Sequence, residues 1–215
     1  VAGIAHEIRN PLGIIRSTAE LLLKRAKDAD PANARLLSAI FDESKRLSKT
    51  VGDFLDYARP KTPRQDEVDL ALICDQALTF LEAKCEELGI AVSRDYAPGL
   101  TVRGDKDLLY RAVYNVLSNA LDAMAEDKEK LREPALAVAA SRDGDELTLT
   151  IADTGPGFCP DNKDRVLDPF FTTKDAGTGL GLAIVRTIVE SHNAALALDN
   201  APEGGARVTM TFTAA

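Results

Sequence analysis

Apolar residues at the start of the chain recur with the heptad spacing of two long helices. The first seam runs through Ile8, Leu12, Ile15, Ala19 and Leu22, and predicts a helix from residue 1 to about 27. Asp28-Ala29-Asp30-Pro31 then interrupts the pattern. A second helix is predicted from residue 32 to about 58, with apolar positions at Leu37, Ile40 or Phe41, Ser44, Leu47, Val51, Phe54 or Leu55, and Ala58.

Two long helices joined by a short turn form an antiparallel hairpin. A hairpin of this length has too little core to be stable alone. We therefore expect a homodimer in which two hairpins form a four-helix bundle. The alternative is a single hairpin that packs against the rest of the same chain.

The pattern changes after residues 60–67, a proline- and charge-rich segment that we interpret as a linker between a helical domain (1–59) and a larger domain (68–215). Helices are predicted at Leu70–Leu88, from Asp105 as N-cap to about Met124, and from about Gly179 to His192. Strands are predicted at 90–96, 100–103, 135–141, 146–152, 195–198 and 206–213. This order predicts an α/β sandwich with one mixed sheet.

Composition narrows the class of protein. The 215 residues are 45% hydrophobic and 28% charged, as in a soluble globular protein, and the net charge of −8 argues against a nucleic-acid partner. No apolar run reaches the ~20 residues that span a bilayer, so we expect no membrane contact by this segment. Cys74, Cys85 and Cys159 have no metal-ligand spacing, which favours reduced thiols in the cytoplasm, with Cys74 and Cys85 in the core. The chain starts inside a helix without Met, so we interpret it as a fragment whose parent protein is anchored in a membrane or carries a sensory region upstream.

A polar stripe crosses the predicted helix after Asp105. Arg111, Asn115, Asn119 and Asp122 lie on one face, opposite Val113, Val116, Leu117, Ala120 and Met124. Asparagine is a poor helix former, so two of them one turn apart are costly. Their oxygens suit Mg²⁺ bound together with phosphate; the alternative is a solvated face.

Further polar and glycine-rich clusters follow in the same domain. Asp153 ends a strand, before Gly155 and Gly157, and its carboxylate can accept from an exocyclic amine such as that of adenine; the alternative is a plain turn. In the cluster 168–174, Lys174 can reach a phosphate, although the aromatic residues are equally consistent with a small hydrophobic latch. The run Gly177-Thr178-Gly179-Leu180-Gly181 opens a helix whose N-terminus offers N–H groups to an anion.

The first helix carries one of the two histidines of the chain. His6 falls opposite the heptad seam, beside Glu7, and Asn10 lies one turn further on the same face. Pro11 lacks an N–H and cannot bond the carbonyl of Glu7, which predicts a kink just below His6. The other histidine, His192, is interpreted as structural.

Five segments in this order make the chain resemble the catalytic core of a sensor histidine kinase. They are His6-Glu7-Ile8-Arg9-Asn10-Pro11, Asn115-Val116-Leu117-Ser118-Asn119, Asp153-Thr154-Gly155-Pro156-Gly157, Pro169-Phe170-Phe171-Thr172-Thr173-Lys174 and Gly177-Thr178-Gly179-Leu180-Gly181, which resemble the H, N, G1, F and G2 boxes. The nitrogen-regulation and C4-dicarboxylate sensor subgroup is the one that three segments resemble: residues 6–11, Ala120-Leu121-Asp122-Ala123-Met124 after the N box, and residues 169–174. Asp168 stands where Glu is commoner, and the residues after His192 lack the usual glycines.

The resemblance implies a dimeric, all-α hairpin followed by an ATP-binding domain of the Bergerat fold. It implies that His6 is the phosphoacceptor, and that Asn10 orients water when a phospho-aspartate of a response regulator receiver domain is hydrolysed. ATP would be bound with Mg²⁺, the metal held by Asn119 with Asn115 and the adenine by Asp153. The other nucleotide-binding residues implied are Gly155, Gly157, Phe170, Phe171, Lys174, Gly177, Thr178, Gly179, Leu180 and Gly181.

We hypothesise that Glu7 accepts the Nδ1 proton of His6 and leaves Nε2 to attack the γ-phosphate of ATP. A first alternative is a dimeric scaffold that binds ATP as a signal and transfers nothing; the pairing of His6 with Glu7 argues against it. A second is another Bergerat-fold enzyme, such as a chaperone-type ATPase or a serine kinase. Those enzymes lack a histidine-bearing hairpin, and the ATPases need Glu at the position of Asn115.

Overall fold

A computed structural model describes residues 2–26, 31–58, 62–126, 133–174, 177–202 and 204–215. The chain divides into two compact units, Val1–Pro60 and Lys61–Ala215.

The smaller unit is a pair of helices, α1 (Ala2–Ala26) and α2 (Pro31–Ala58), packed against each other. The helices lie close to the predicted ranges, and α1 continues through Pro11. Of the predicted break, residues 28–30 lie outside the described part of the chain. Among the described residues of this unit, the buried positions are small ones, Ala19 at 3% exposure and Ser44 at 4%.

Several large apolar side chains on both helices, some of them in the two seams, are exposed in the single chain. Ile14 is 67% exposed and Leu36 is 64% exposed. The same holds for Ile15, Leu21, Leu22, Ile40, Leu47 and Phe54. One hairpin therefore buries little of its own apolar surface.

The larger unit contains seven strands and three α-helices in its described part. The strands are β1 (Asp66–Asp69), β2 (Ala91–Tyr96), β3 (Thr101–Gly104), β4 (Ala135–Asp143), β5 (Glu146–Asp153), β6 (Ala195–Asn200) and β7 (Ala206–Thr213). The helices are α3 (Leu70–Leu88), α4 (Lys106–Glu126) and α5 (Gly181–Ser191), and a 3₁₀ turn lies at Pro160–Arg165.

The main sheet has the order β2-β4-β5-β7-β6 and is mixed, as predicted: β2 and β4 are parallel and the other neighbours are antiparallel. One face of the sheet packs under the three helices. Its alternate residues form the core, at Leu136, Val138, Ala140, Leu147, Leu149, Ile151, Val208, Met210 and Phe212. The arrangement is a two-layer α/β sandwich.

The prediction of a single sheet was wrong in one respect. β3 pairs with β1 in a separate two-stranded sheet, with Val68 opposite Val102. The start of β1, at Asp66, falls inside the segment predicted to be linker. Its four residues carry one buried side chain, Val68, which is too short a pattern to predict a strand.

Local capping residues determine where α3 and α4 begin and end. Asp69 Oδ1 accepts from the N–H groups of Ala71 (2.8 Å) and Leu72 (3.3 Å), and Gly89 ends α3 with a left-handed φ of 68°. Asp105 Oδ1 accepts from Asp107 N–H (3.0 Å) and Leu108 N–H (3.3 Å), which confirms it as the N-cap of α4.

His192 is structural, as predicted. Its Nε2 accepts from the N–H of Asp105 at 2.9 Å, so its other ring nitrogen carries the proton and donates to Ile188 O at 2.8 Å. A methyl group built on Gly104 would lie 2.6 Å from the His192 ring. The imidazole therefore joins the end of α5 to the start of α4.

Candidate nucleotide site

The polar stripe of α4 meets the N-terminus of α5. The apolar side of α4 is buried as predicted, through Val113, Val116, Leu117, Ala120 and Met124, and the stripe residues are half-buried. A methyl group built on Gly181, the first residue of α5, would lie 3.3 Å from Asn119 Nδ2 and 3.9 Å from Asn115 Oδ1. Two amide side chains and the first turn of a helix thus share one location.

The N-terminus of α5 has no side-chain cap. Leu180 occupies the N-cap position and is completely buried, and its N–H donates weakly to Thr178 Oγ1 at 3.4 Å. The N–H groups of an uncapped first turn, with the positive end of the helix dipole, are suited to bind an anion. Asn115, Asn119 and Gly181, which are distant in sequence, are therefore brought together in a way that suits a phosphate and a hard cation.

Asp153 lies at the end of β5 and is 7% exposed. Its Oδ1 accepts from Gly155 N–H at 2.8 Å and from Ala206 N–H at 3.1 Å, which leaves Oδ2 for a ligand. Burial raises the pKa of this carboxyl; the two N–H donors and the positive charge of Lys174 act in the opposite direction. The side chain is a buried acceptor held in one orientation by backbone donors.

The aromatic segment after Asp168 contacts the glycine-rich segment directly. Phe170 N–H donates to Gly179 O at 2.9 Å, and Phe170 has an unusual positive φ of 67°. Gly179 has a φ of 66°, and a methyl group there would lie 2.4 Å from Phe170 C, so only glycine fits. Phe171 lies under the guanidinium of Arg165, 4.6 Å from the ring centroid.

The same two segments meet again around Gly177 and Lys174. Gly177 N–H donates to Lys174 O at 3.2 Å, and a methyl group on Gly177 would clash with Thr172. Residues 175–176, between them, lie outside the described part of the chain.

Lys174 points toward α4. Its Nζ donates to the backbone carbonyl of Asn119 at 3.3 Å and lies 3.9 Å from Asp122, which also accepts from Lys84 of α3. Burial lowers the pKa of Lys174, and the carboxylates of Asp122 and Glu126 act against that shift. A cation is therefore present beside the predicted metal and phosphate residues. No sequence pattern predicts the bond from Lys84 to Asp122.

Gly157 and the residues after it are joined to β6. Asn200 Oδ1 accepts from Phe158 N–H at 2.7 Å, and Asn200 Nδ2 donates to Phe158 O at 2.8 Å. Gly157 has a φ of 74°, and a methyl group there would lie 2.8 Å from Asn200 Oδ1. Sequence reasoning missed Asn200; only the adjacent pair Gly204-Gly205 marks a turn nearby.

His6, Glu7, Asn10 and Pro11 all lie on α1, in the smaller unit. Their side chains are outside the part of the chain that the structure describes, so their predicted roles and the kink at Pro11 stay predictions. Within the described residues, no cluster of three His, Cys, Asp or Glu side chains forms a metal site. Likewise, no helix there combines the length and apolar character needed to cross a membrane.

The fold and the site together define a nucleotide-binding α/β unit behind a helical hairpin. Residues 104–215 match the family model "Histidine kinase-, DNA gyrase B-, and HSP90-like ATPase", and residues 1–63 match "His Kinase A (phospho-acceptor) domain". The chain belongs to this ATPase family and, with the phospho-acceptor domain in front, is a sensor histidine kinase core. The larger unit is its ATP-binding part.

Curated relatives agree with this assignment. The chain is 32% identical to the sensor histidine kinase ZraS of Escherichia coli O157:H7, over 97% of this chain and 44% of that protein. It is also 32% identical to the nitrogen regulation protein NtrY of Azorhizobium caulinodans, over 98% of this chain and 28% of that protein. The chain therefore spans less than half the length of these two relatives.

Solved structures share the architecture. ShkA, solved at full length with AMPPNP, is similar over 100% of this chain and 46% of its own, with a TM-score of 0.82 and 26% identity. The mycobacterial sensor histidine kinase MprB is similar over 69% of this chain and 97% of its own, with a TM-score of 0.61 and 29% identity. A helical hairpin followed by the Bergerat ATP-binding fold, as predicted, is confirmed.

Proposed function

We propose that this chain transfers the γ-phosphoryl group of ATP to His6 and then passes it to an aspartate of a response regulator receiver domain. The observation that carries the proposal is the close approach of Gly181 to Asn115 and Asn119, which brings the first turn of α5 and two amide side chains together. Membership of the histidine kinase family supports it.

In this proposal the nucleotide lies between α4, β5 and the glycine-rich segment. Asn119, with Asn115, would hold Mg²⁺, since amide oxygens are suitable ligands for a hard cation. The N–H groups around Gly177–Gly181 and the ammonium of Lys174 would bind the phosphates. Asp153 would accept from the amine of adenine, and Gly155 and Gly157 would allow the segment that carries Phe170 and Phe171 to close over the nucleotide.

Phosphoryl transfer needs His6 neutral at the attacking nitrogen, a form that is available near neutral pH. Glu7 would take the proton from Nδ1 while Nε2 forms the bond to the γ-phosphorus, and ADP would leave with the electrons of the broken P–O bond. Asn10 would orient water for the reverse task, the hydrolysis of the regulator's phospho-aspartate.

We further propose that the working unit is a homodimer. The exposed apolar stripe of α1 and α2, which includes Ile14, Leu36 and Ile40, supports this because two hairpins would bury it in a four-helix bundle. The 32% identity to a nitrogen regulation protein supports assignment to the nitrogen-regulation and C4-dicarboxylate sensor subgroup. We place this part of the protein in the cytoplasm, where ATP and response regulators are found.

The test is incubation with γ-labelled ATP and Mg²⁺, followed by acid or base. We expect label on the chain that acid removes and base leaves, because a phosphoramidate behaves in this way and a phosphoserine does the opposite. His6→Gln should abolish the label. Stable label on His6→Gln, or no transfer to any receiver domain in a panel, would contradict the proposal.

The role of Glu7 has its own matched control on the same helix. Glu7→Gln should slow labelling by at least about tenfold without weakening ATP binding. Glu20→Gln removes an exposed carboxylate that pairs with Lys24, and should leave both properties unchanged. Normal labelling by Glu7→Gln would exclude a general base at this position.

A further inference from the structure

Asp153 accepts hydrogen bonds from backbone groups on two sides, one of them far from it in sequence. Its Oδ1 accepts from Gly155 N–H and from Ala206 N–H. Ala206 is the register partner of Asn200 across the β6–β7 pair. Asn200 in turn bonds the backbone of Phe158 through both atoms of its amide, at 2.7 and 2.8 Å.

Two glycines allow these segments to approach one another closely. A methyl group on Gly157 would lie 2.8 Å from Asn200 Oδ1 and 3.3 Å from Gly205 C. A methyl group on Gly205 would lie 1.8 Å from Asp153 O. The loop of residues 155–158 therefore has one end bonded to Asp153 and the other end bonded to Asn200.

We propose that Asn200 is a positioning residue that fixes the orientation of Asp153 and thereby sets the preference of the site for a purine with a 6-amino group. This inference rests on the proposed function, in which Asp153 accepts from adenine. Both hydrogen-bonding atoms of the Asn200 amide bond the backbone of Phe158, as two paired strands bond each other. The side chain therefore fixes both the orientation of the loop and its distance from β6.

The reason for a preference is geometric. A carboxylate that accepts a hydrogen bond from an amine favours ligands with that amine only when its free oxygen is held at hydrogen-bonding distance from the bound amine. Without Asn200, Phe158 loses its two bonds to β6, and the loop that carries Gly155 is bonded at one end only. Ala206 N–H would still hold Asp153 from β7, but the donor on the loop, Gly155 N–H, would lose its fixed position. Oδ2 of Asp153 would then sample a wider range of orientations, and the 6-amino group would contribute less to the affinity.

The experiment compares calorimetric binding of ATP with binding of purine riboside triphosphate, which lacks the 6-amino group, on the whole chain. Asn200→Ala removes both bonds. Asn200→Asp keeps the acceptor for Phe158 N–H but turns an oxygen toward the Phe158 carbonyl. In both variants we expect the ratio of the two affinities to fall by about tenfold, mainly through weaker ATP binding.

Asn193→Asp is the matched control. It adds the same negative charge as Asn200→Asp, two residues before the start of β6. Asn193 has a left-handed φ of 54°, which Asp tolerates. We expect it to keep the wild-type ratio. Thermal unfolding of each variant shows that the unit is folded.

An unchanged ratio in Asn200→Ala, or an equal loss of affinity for both nucleotides, would overturn the positioning role. If the wild-type chain binds both nucleotides equally, Asp153 does not recognise the 6-amino group of adenine. Failure of the wild-type chain to bind either nucleotide would remove the proposed function itself, and the inference with it.

Discussion

Replacing Gly181 with alanine separates the stability of the ATP-binding unit from its capacity to bind phosphate. Gly181 is the first residue of α5, with no positive φ to forbid a side chain. Alanine loses less backbone entropy than glycine in a helix, which favours the variant by at most about 0.5–1 kcal/mol. The new methyl group would lie 3.3 Å from Asn119 Nδ2, so the amide must shift by a few tenths of an ångström. We expect a net change in the free energy of unfolding within about 0.5 kcal/mol of zero.

The cost to binding follows from the same close approach. The methyl carbon would lie 3.6 Å from Asn119 Oδ1 and 3.9 Å from Asn115 Oδ1. Mg²⁺ must approach such an oxygen to about 2.1 Å, and a phosphate oxygen must approach a helix N–H to about 2.9 Å. The methyl group fills the space between the amide oxygens and the helix N–H groups. Mg²⁺–ATP binding should therefore weaken at least about tenfold, which corresponds to about 1.4 kcal/mol.

The assay is calorimetric titration with Mg²⁺–ATP together with thermal unfolding. Gly52→Ala in α2 is the matched control, since a methyl group there would have no neighbour within 4 Å. It should raise the unfolding temperature slightly and leave affinity unchanged. Wild-type affinity in Gly181→Ala would refute the placement of phosphate and metal between α4 and α5.

Three further variants test the electrostatics and the scaffold. Asp153→Asn should weaken ATP binding yet match or exceed wild-type stability at pH 7, because burial raises the pKa of this carboxyl and its ionised form destabilises the fold above that pKa. In urea unfolding, the difference in stability between variant and wild type should shrink as the pH falls through the raised pKa. A variant that is clearly less stable than the wild type at pH 7 would contradict this. Burial lowers the pKa of Lys174 and Asp122 opposes that shift, so Asp122→Asn should lower this pKa further. ATP affinity followed as the pH is raised should therefore start to fall at a lower pH than in the wild type, and an unshifted profile would argue against Lys174 as a phosphate ligand. His192→Ala leaves Asp105 N–H without its acceptor, so the free energy of unfolding in urea should fall by about 1–3 kcal/mol while the affinity for ATP stays unchanged. Lost affinity at full stability would show that His192 acts in the site.

Local signals predicted the elements that depend on local interactions. α3 occupies the predicted range Leu70–Leu88, because Asp69 caps it and Gly89 ends it within the same stretch of chain. The apolar side of α4 is buried as predicted, since helical spacing alone places those residues on one face. The thiols of Cys74 and Cys85 are buried for the same reason, and burial raises the pKa of Cys74 to about 12.

Pairings between distant segments had no such signal. β1 carries a single buried residue and exists because β3 pairs with it. Lys84 reaches Asp122 from another helix, and Asn200 reaches Phe158 across 42 residues of sequence. A lysine on an exposed helix face and an asparagine at a strand end are ordinary in sequence, and their partners depend on how the helices and strands pack.

The sequence by itself determined the order of the five motifs, the approximate ranges of the helices, and the residue types that we propose bind a nucleotide. These depend on periodicity and on contacts within a few residues. Only the tertiary structure decided that Gly181 lies against Asn115 and Asn119, and that Ala206 holds Asp153. Those contacts join residues separated by 53 positions or more, and packing of α5 and β7 onto the rest of the unit creates them.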